Sequence, residues 1–120
     1  MDKLSKTYDL EERTAKFGEN IIFLCRSLQE TTISKPLISQ LIRSATSIGA
    51  NYMEANGASS RKDFKNKIYI CKKEAQETKH WLRMLASYFV DKKPELTIHW
   101  NECQELTLIF QKIGNSLNKN

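Results

Sequence analysis

Glycine and proline are scarce in this sequence, four and two among 120 residues. Period-two alternation of apolar and polar residues is nowhere sustained. The one Asn-Gly pair, Asn56-Gly57, sits between helical patterns and not between apolar strands, so the hairpin signal of a sheet is missing. Long apolar runs are missing too. No stretch approaches the roughly 20 consecutive apolar residues of a membrane-spanning helix. The opening MDKLSKTYDLEERTAKF contains no apolar segment of signal-peptide length. These absences exclude a β architecture and a helical membrane protein, and a cytoplasmic location with no membrane role is expected.

Cysteine is sparse and odd in number. Cys25, Cys71 and Cys103 lie far apart, each beside apolar residues and none in a CxxC pair. The two histidines, His80 and His99, make no recognisable metal spacing with them. Reduced thiols acting as small hydrophobes fit this usage. No nucleophile and base pairing is visible, and no glycine-rich phosphate loop. The Glu-x-x-His motif of di-iron bundles occurs once, at Glu77 and His80, where two copies are needed. The chain therefore reads as non-enzymatic, without metal or cofactor.

What is present is charge and amphipathic periodicity. Hydrophobic residues make up 40% of the chain, enough for one modest core, so residues 1–120 form a single domain. Nineteen Lys and Arg against 14 Asp and Glu give a net charge of +5, which favours polyanionic partners.

Four helical segments follow. Asp9 caps the first, with Glu11 and Glu12 in its first turn. Phe17, Ile21, Leu24 and Leu28 form its apolar stripe, so it spans about 9–29. ETTISKP breaks the pattern. Pro36 suits the first position of a second helix running to Asn56, whose inner face includes Leu37, Ile38, Leu41, Ile42, Ala45, Ile48 and Tyr52. Ser60 and Asp63 resemble a capping box at the head of a third helix, about 60–90. Its near-heptad stripe is Phe64, Ile68, Cys71, Ala75, Thr78, Leu82, Leu85 and Phe89. DKKP ends it. The fourth helix, about 97–117, turns Trp100, Cys103, Leu106 or Thr107, Phe110, Ile113 and Leu117 inward. Four amphipathic helices with short connections pack most simply as an all-α, antiparallel up-down-up-down bundle.

The second helix carries an oddity. Its middle is built from small residues, Ser44, Ala45, Ser47, Gly49 and Ala50, beside a narrow polar stripe of Arg43, Ser47, Asn51 and Glu54. A solvated face would carry lysines and glutamates. Two readings remain: a face that serves helix packing alone, or a polar seam at a helix or subunit contact. The third helix has a matching band, Ile70, Glu74, Glu77, Trp81 and Tyr88, in which two acids sit among large apolar side chains. Charges in such company are costly unless paired, and Arg43, or a cation of another subunit, is the expected partner. The same aromatic band leaves more apolar surface than one small bundle can cover, which points to self-association.

Basic residues concentrate on the third helix. Arg61, Lys62, Lys65 and Lys67 open it and Lys72, Lys73, Lys79 and Arg83 follow. Arg61, Lys62, Lys65, Lys67 and Lys72 are the candidate contacts to RNA or DNA phosphates. A merely solvated face is the alternative.

The segments QLIRSATSIGANYMEANGASSRKDF and IYICKKEAQETKHWLRML resemble a family of bacterial four-helix bundles named after the 23S rRNA intervening-sequence proteins. The shared pattern has the form R-S-A-x-S-I-x-A-N-x-x-E-A, then S-R-x-D-F, then K-E-A-x-E-T-x-x-W-L. Arg43, Ser44, Ser47, Ile48, Ala50, Asn51, Glu54, Ala55, Ser60, Asp63, Phe64, Glu74, Glu77, Trp81 and Leu82 occupy its positions, while Tyr52 and Met53 depart from it. The resemblance implies an antiparallel bundle that assembles as a ring-shaped homopentamer. Accessory variability-determinant proteins of diversity-generating retroelements are related; they are basic barrels that bind nucleic acid and a reverse transcriptase. A reverse transcriptase or another nucleic-acid enzyme is therefore an implied partner. The sequence as a whole leads to two functional readings. One is an oligomeric nucleic-acid-binding accessory protein of low specificity, and the other is a protein-binding scaffold or structural oligomer.

Overall fold

The computed structural model describes residues 9–118 and contains four α-helices: α1 (Leu10–Arg26), α2 (Ser34–Asn56), α3 (Arg61–Tyr88) and α4 (Lys93–Leu117). A short 3-10 turn at Val90–Lys92 joins the last two. No strand occurs among the described residues, and the chain is an all-α four-helix bundle.

The helix ends differ from expectation in ways the local chemistry explains. Asp9 stands at the N-cap of α1, yet its side chain makes no capping bond; its carbonyl accepts from the Arg13 N–H at 2.9 Å. The helix stops at Arg26, where the Ser27 hydroxyl donates to the Leu24 carbonyl at 2.7 Å. Leu28 is still buried although it lies past the helix end. The α1–α2 connection is tied by Ser34, which is buried. Its hydroxyl accepts from the Thr31 N–H at 2.8 Å and donates to the Gln29 carbonyl at 2.7 Å. Thr31 returns the bond, its Oγ1 accepting from the Ser34 N–H at 3.0 Å. This reciprocal turn starts α2 two residues before Pro36. The proline then falls in the first turn, where no intrahelical N–H is needed. Ser60 caps α3 as its spacing suggests, accepting from the Asp63 N–H at 3.0 Å. The largest difference is at α4, which begins at Lys93: Pro94 opens the helix instead of preceding it.

Consecutive helices run in opposite directions, as cross-helix pairs show. Between α2 and α3, Glu54 meets Lys67, Ile48 meets Cys71 and Ser44 meets Thr78, one number falling as the other rises. Asn56 meets Glu11 while Gly18 faces Ala45 and Thr46 across α1 and α2. Asn118 meets Tyr69, and Cys103 meets Ala75, across α3 and α4. The core between them contains Phe17, Ile21 and Leu24 of α1, Leu41 and Ile48 of α2, Ile68, Leu82 and Leu85 of α3, and Leu96, Leu106 and Phe110 of α4. These are the stripes read from the helical period.

Candidate functional site

The small residues of α2 admit its two neighbours. A Cβ placed at Gly49 would lie 3.4 Å from the Thr14 carbonyl carbon, so α1 approaches there to backbone distance. On the other side, buried Ser44 meets the buried Thr78 hydroxyl of α3 at 2.8 Å. Helix packing therefore accounts for Ser44 and Gly49, while Ala50 of the same stripe stays exposed.

The polar seam brackets the α2–α3 contact within one chain. The Arg43 guanidinium donates to Gln40 Oε1 at 3.1 Å, to Glu74 Oε1 at 3.2 Å and to Glu77 Oε1. At the far end of the seam, Lys67 Nζ donates to Glu54 Oε1 at 2.7 Å. This bond holds the half-buried lysine's pKa above its ordinary value. Between them the Asn51 amide folds back onto the Ser47 carbonyl at 2.8 Å. The expected Arg43 pairing is present, but it is only partly enclosed: the side chains of Arg43, Glu74 and Glu77 are 45%, 14% and 38% exposed. Glu74 is thus shielded while its partner reaches solvent.

Trp81 is half-buried, with the His80 ring edge-on at 4.8 Å between centroids. Its Nε1 is enclosed with no hydrogen-bond partner among the described residues. Tyr88 lies at the rim, where its hydroxyl meets Thr31 Oγ1 at 2.9 Å.

The five candidate phosphate contacts separate. Lys67 is engaged by Glu54, and Arg61 donates to the Leu117 carbonyl at 2.9 Å, at the negative end of the α4 dipole. Lys62 is exposed, Lys65 and Lys72 are half-buried, and among the described residues none of the three makes an ion pair.

One ion-pair cluster has no counterpart in the sequence reading. Arg13 of α1 forks onto Glu102 of α4 at 2.8 and 2.9 Å and reaches Glu105 at 2.8 Å. The Glu102 bond, first among the causes, holds the guanidinium pKa above its ordinary value. The cluster sits in an open α1–α4 groove of about 680 Å³ lined by both signs of charge. The partners are 89 and 92 residues apart on polar faces. Only the Glu102 and Glu105 spacing was visible, and it does not distinguish a braced pair from a solvated one.

Cys71 and Cys103 are buried and Cys25 is half-buried, and all are free thiols. Among the described residues no group of three or more His, Cys, Asp or Glu side chains is placed to hold a metal ion. No described helix is long and apolar enough to cross a membrane.

Comparison with characterised, curated proteins gives no match. A crystal structure from Bacteroides thetaiotaomicron, of a protein with unknown function from the S23 ribosomal protein family, is similar. It has a TM-score of 0.76 and 32% identity, over 87% of this chain and 96% of that one. Over residues 6–112 the sequence matches the family profile described as 23S rRNA-intervening sequence protein. The seam that the signature residues build and the shared bundle agree with that match, and the chain belongs to the family of 23S rRNA-intervening sequence proteins.

Proposed function

We propose that the protein is a non-enzymatic, cytoplasmic accessory protein that self-associates and binds RNA or DNA through the sugar–phosphate backbone, with little sequence preference. The observation that carries this reading is an asymmetry in charge pairing. Glu74 and Glu77 are taken up by Arg43, Glu54 by Lys67, and Glu102 and Glu105 by Arg13. Three cations thus take up five acids, and the other 16 lysines and arginines of the sequence outnumber its other nine acids. Polyanion binding by such a surface is electrostatic and indifferent to base identity. The family name refers to 23S rRNA and the neighbour's to a ribosomal protein family, which supports a nucleic-acid partner. Assembly, as a pentamer on the resemblance, would repeat the cations and add avidity. A reverse transcriptase or other nucleic-acid enzyme is a compatible protein partner.

Two measurements test the reading. Light scattering is expected to give a multiple of 13.9 kDa. Titration of labelled RNA and DNA is expected to show affinity falling steeply with salt. Arg61→Glu, Lys62→Glu and Lys65→Glu together should weaken binding to all sequences alike. A protein that binds neither nucleic acid at low salt would instead be a protein-binding scaffold. That second reading is favoured by large apolar side chains left in solvent, Phe23 at 70% exposure foremost.

A further inference from the structure

The charges of α3 are sorted by helical phase. At about 100° per residue, Arg61, Lys65, Lys72, Lys79 and Arg83 fall within about 40° of one another. This line lies on the α4 side of α3: Lys79 meets Gln104 of α4, and Arg61 meets the end of that helix at Leu117. The acids of α3 that pair with Arg43, Glu74 and Glu77, lie on the opposite flank, against α2. Helix α4 repeats the sorting. Its Glu102 and Glu105 turn toward α1 and are held by Arg13. Its edge toward the α3 line carries Thr97, Gln104, Gln111 and Asn115, again within about 40° and all neutral. Among the described residues, the α3–α4 groove is therefore an acid-free track with cations along one wall and neutral hydrogen-bonding groups along the other. Between Lys65 and Arg83 the track runs about 27 Å.

Two aromatic residues lie along it. The Lys79 ammonium sits 5.2 Å from the centre of the Trp100 ring, which fixes the cation at the groove. Tyr69 is 44% exposed. Its hydroxyl accepts from Asn118 Nδ2 at 3.3 Å, and its Cε1 passes 3.8 Å from where a Cβ of Gly114 would stand. The tyrosine is thus anchored at its tip beside a residue with no side chain to cover it. A line of phosphate-binding cations with an accessible aromatic ring beside it suits an unstacked strand. A duplex offers phosphates but keeps its base faces to itself.

We infer that the α3–α4 groove is a track for single-stranded nucleic acid, with Lys65, Lys72, Lys79 and Arg83 on the phosphates and Tyr69 under a base. This rests on the nucleic-acid reading above and adds its place and strand state. The probes are labelled oligo(U) and oligo(dT) of about 16 nucleotides and a duplex of equal length. The unaltered protein binds the single strands more tightly than the duplex. Lys65→Glu, Lys72→Glu and Arg83→Glu together weaken single-strand binding by about tenfold or more and lower the log–log salt slope by about 2. Lys16→Glu, Lys35→Glu and Lys73→Glu, an equal charge change off the track, weaken it by less than about threefold. Tyr69→Leu costs about fivefold on single strands and nothing on the duplex. Glutamine replaces glutamate at the three track positions if the reversed triple loses its cooperative helical melt. Equal losses from both triples, duplex binding as tight as single-strand binding, or an indifferent Tyr69→Leu overturns the track and leaves the nucleic-acid reading standing. No binding to any probe by the unaltered protein overturns both.

Discussion

The hydroxyls of Ser44 and Thr78 lie 2.8 Å apart in the buried contact between α2 and α3, and each also has a backbone acceptor within its own helix. Ser44 reaches the Leu41 carbonyl at 3.3 Å and Thr78 the Glu74 carbonyl at 2.8 Å. Removing one hydroxyl therefore leaves the other partly satisfied. Ser44→Ala and Thr78→Val are each expected to cost about 1 kcal/mol in urea unfolding. The double variant should cost less than the sum by about 0.5 kcal/mol or more, because the two share one bond. Additive losses would show that the hydroxyls do not depend on each other.

Arg43 is expected to matter modestly. Its guanidinium and Glu77 are both over a third exposed, so solvent screens that contact, while Glu74 is enclosed and loses its cation when Arg43 is removed. Arg43→Met should therefore cost about 1 kcal/mol, between a solvated pair and a fully buried one. The loss should shrink in high salt. A loss of about 3 kcal/mol or more that salt does not reduce would mean that the seam is buried, for instance by a second copy of the chain.

The sequence made some of this legible and left the rest out for physical reasons. The helical period of Phe17, Ile21 and Leu24 and of Ile68, Cys71 and Ala75 is set by burial itself, so the core could be read in advance. Pro94 could not be placed, because a proline both ends one helix and opens the next. Arg43 with Glu74 and Glu77 was legible because charges among small and aromatic residues need partners. Lys67 was not. Read as a phosphate contact, it pairs with Glu54, a match that depends on the α2–α3 register. Arg13 with Glu102 and Glu105 lies on faces that look solvated until the first and last helices are brought together. The cationic line of α3 needed the same step, since its phase acquires meaning only when α4 is known to lie beside it.

The thiols should be inert in the folded protein. Burial pushes Cys71 and Cys103 up to about 12 and Cys25 up to about 11. Cys103 Sγ also donates to the Ala75 carbonyl at 3.1 Å. The thiolate is the reacting form, so at pH 8 a thiol-specific disulfide reagent should label the native protein far more slowly than the protein in urea. Half-buried Cys25 is expected to react first. Rapid native labelling of all three would contradict the burial.

His99 gives the fold a defined acid response. It is half-buried on α4, and burial lowers its pKa from the ordinary 6.5, opposed by the Glu95 carboxylate four residues earlier. A histidine lowered in the folded state binds its proton more readily when unfolded. Stability then rises with pH across the interval between the folded and unfolded values. On this side chain's account, the full stability is present above 6.5 and declines as the pH falls below it. The region between 6.5 and about 5 isolates the effect from most carboxylates. His99→Gln should flatten the unfolding free energy across that region. If the slope survives in His99→Gln, another group carries the proton linkage and His99 titrates alike in both states.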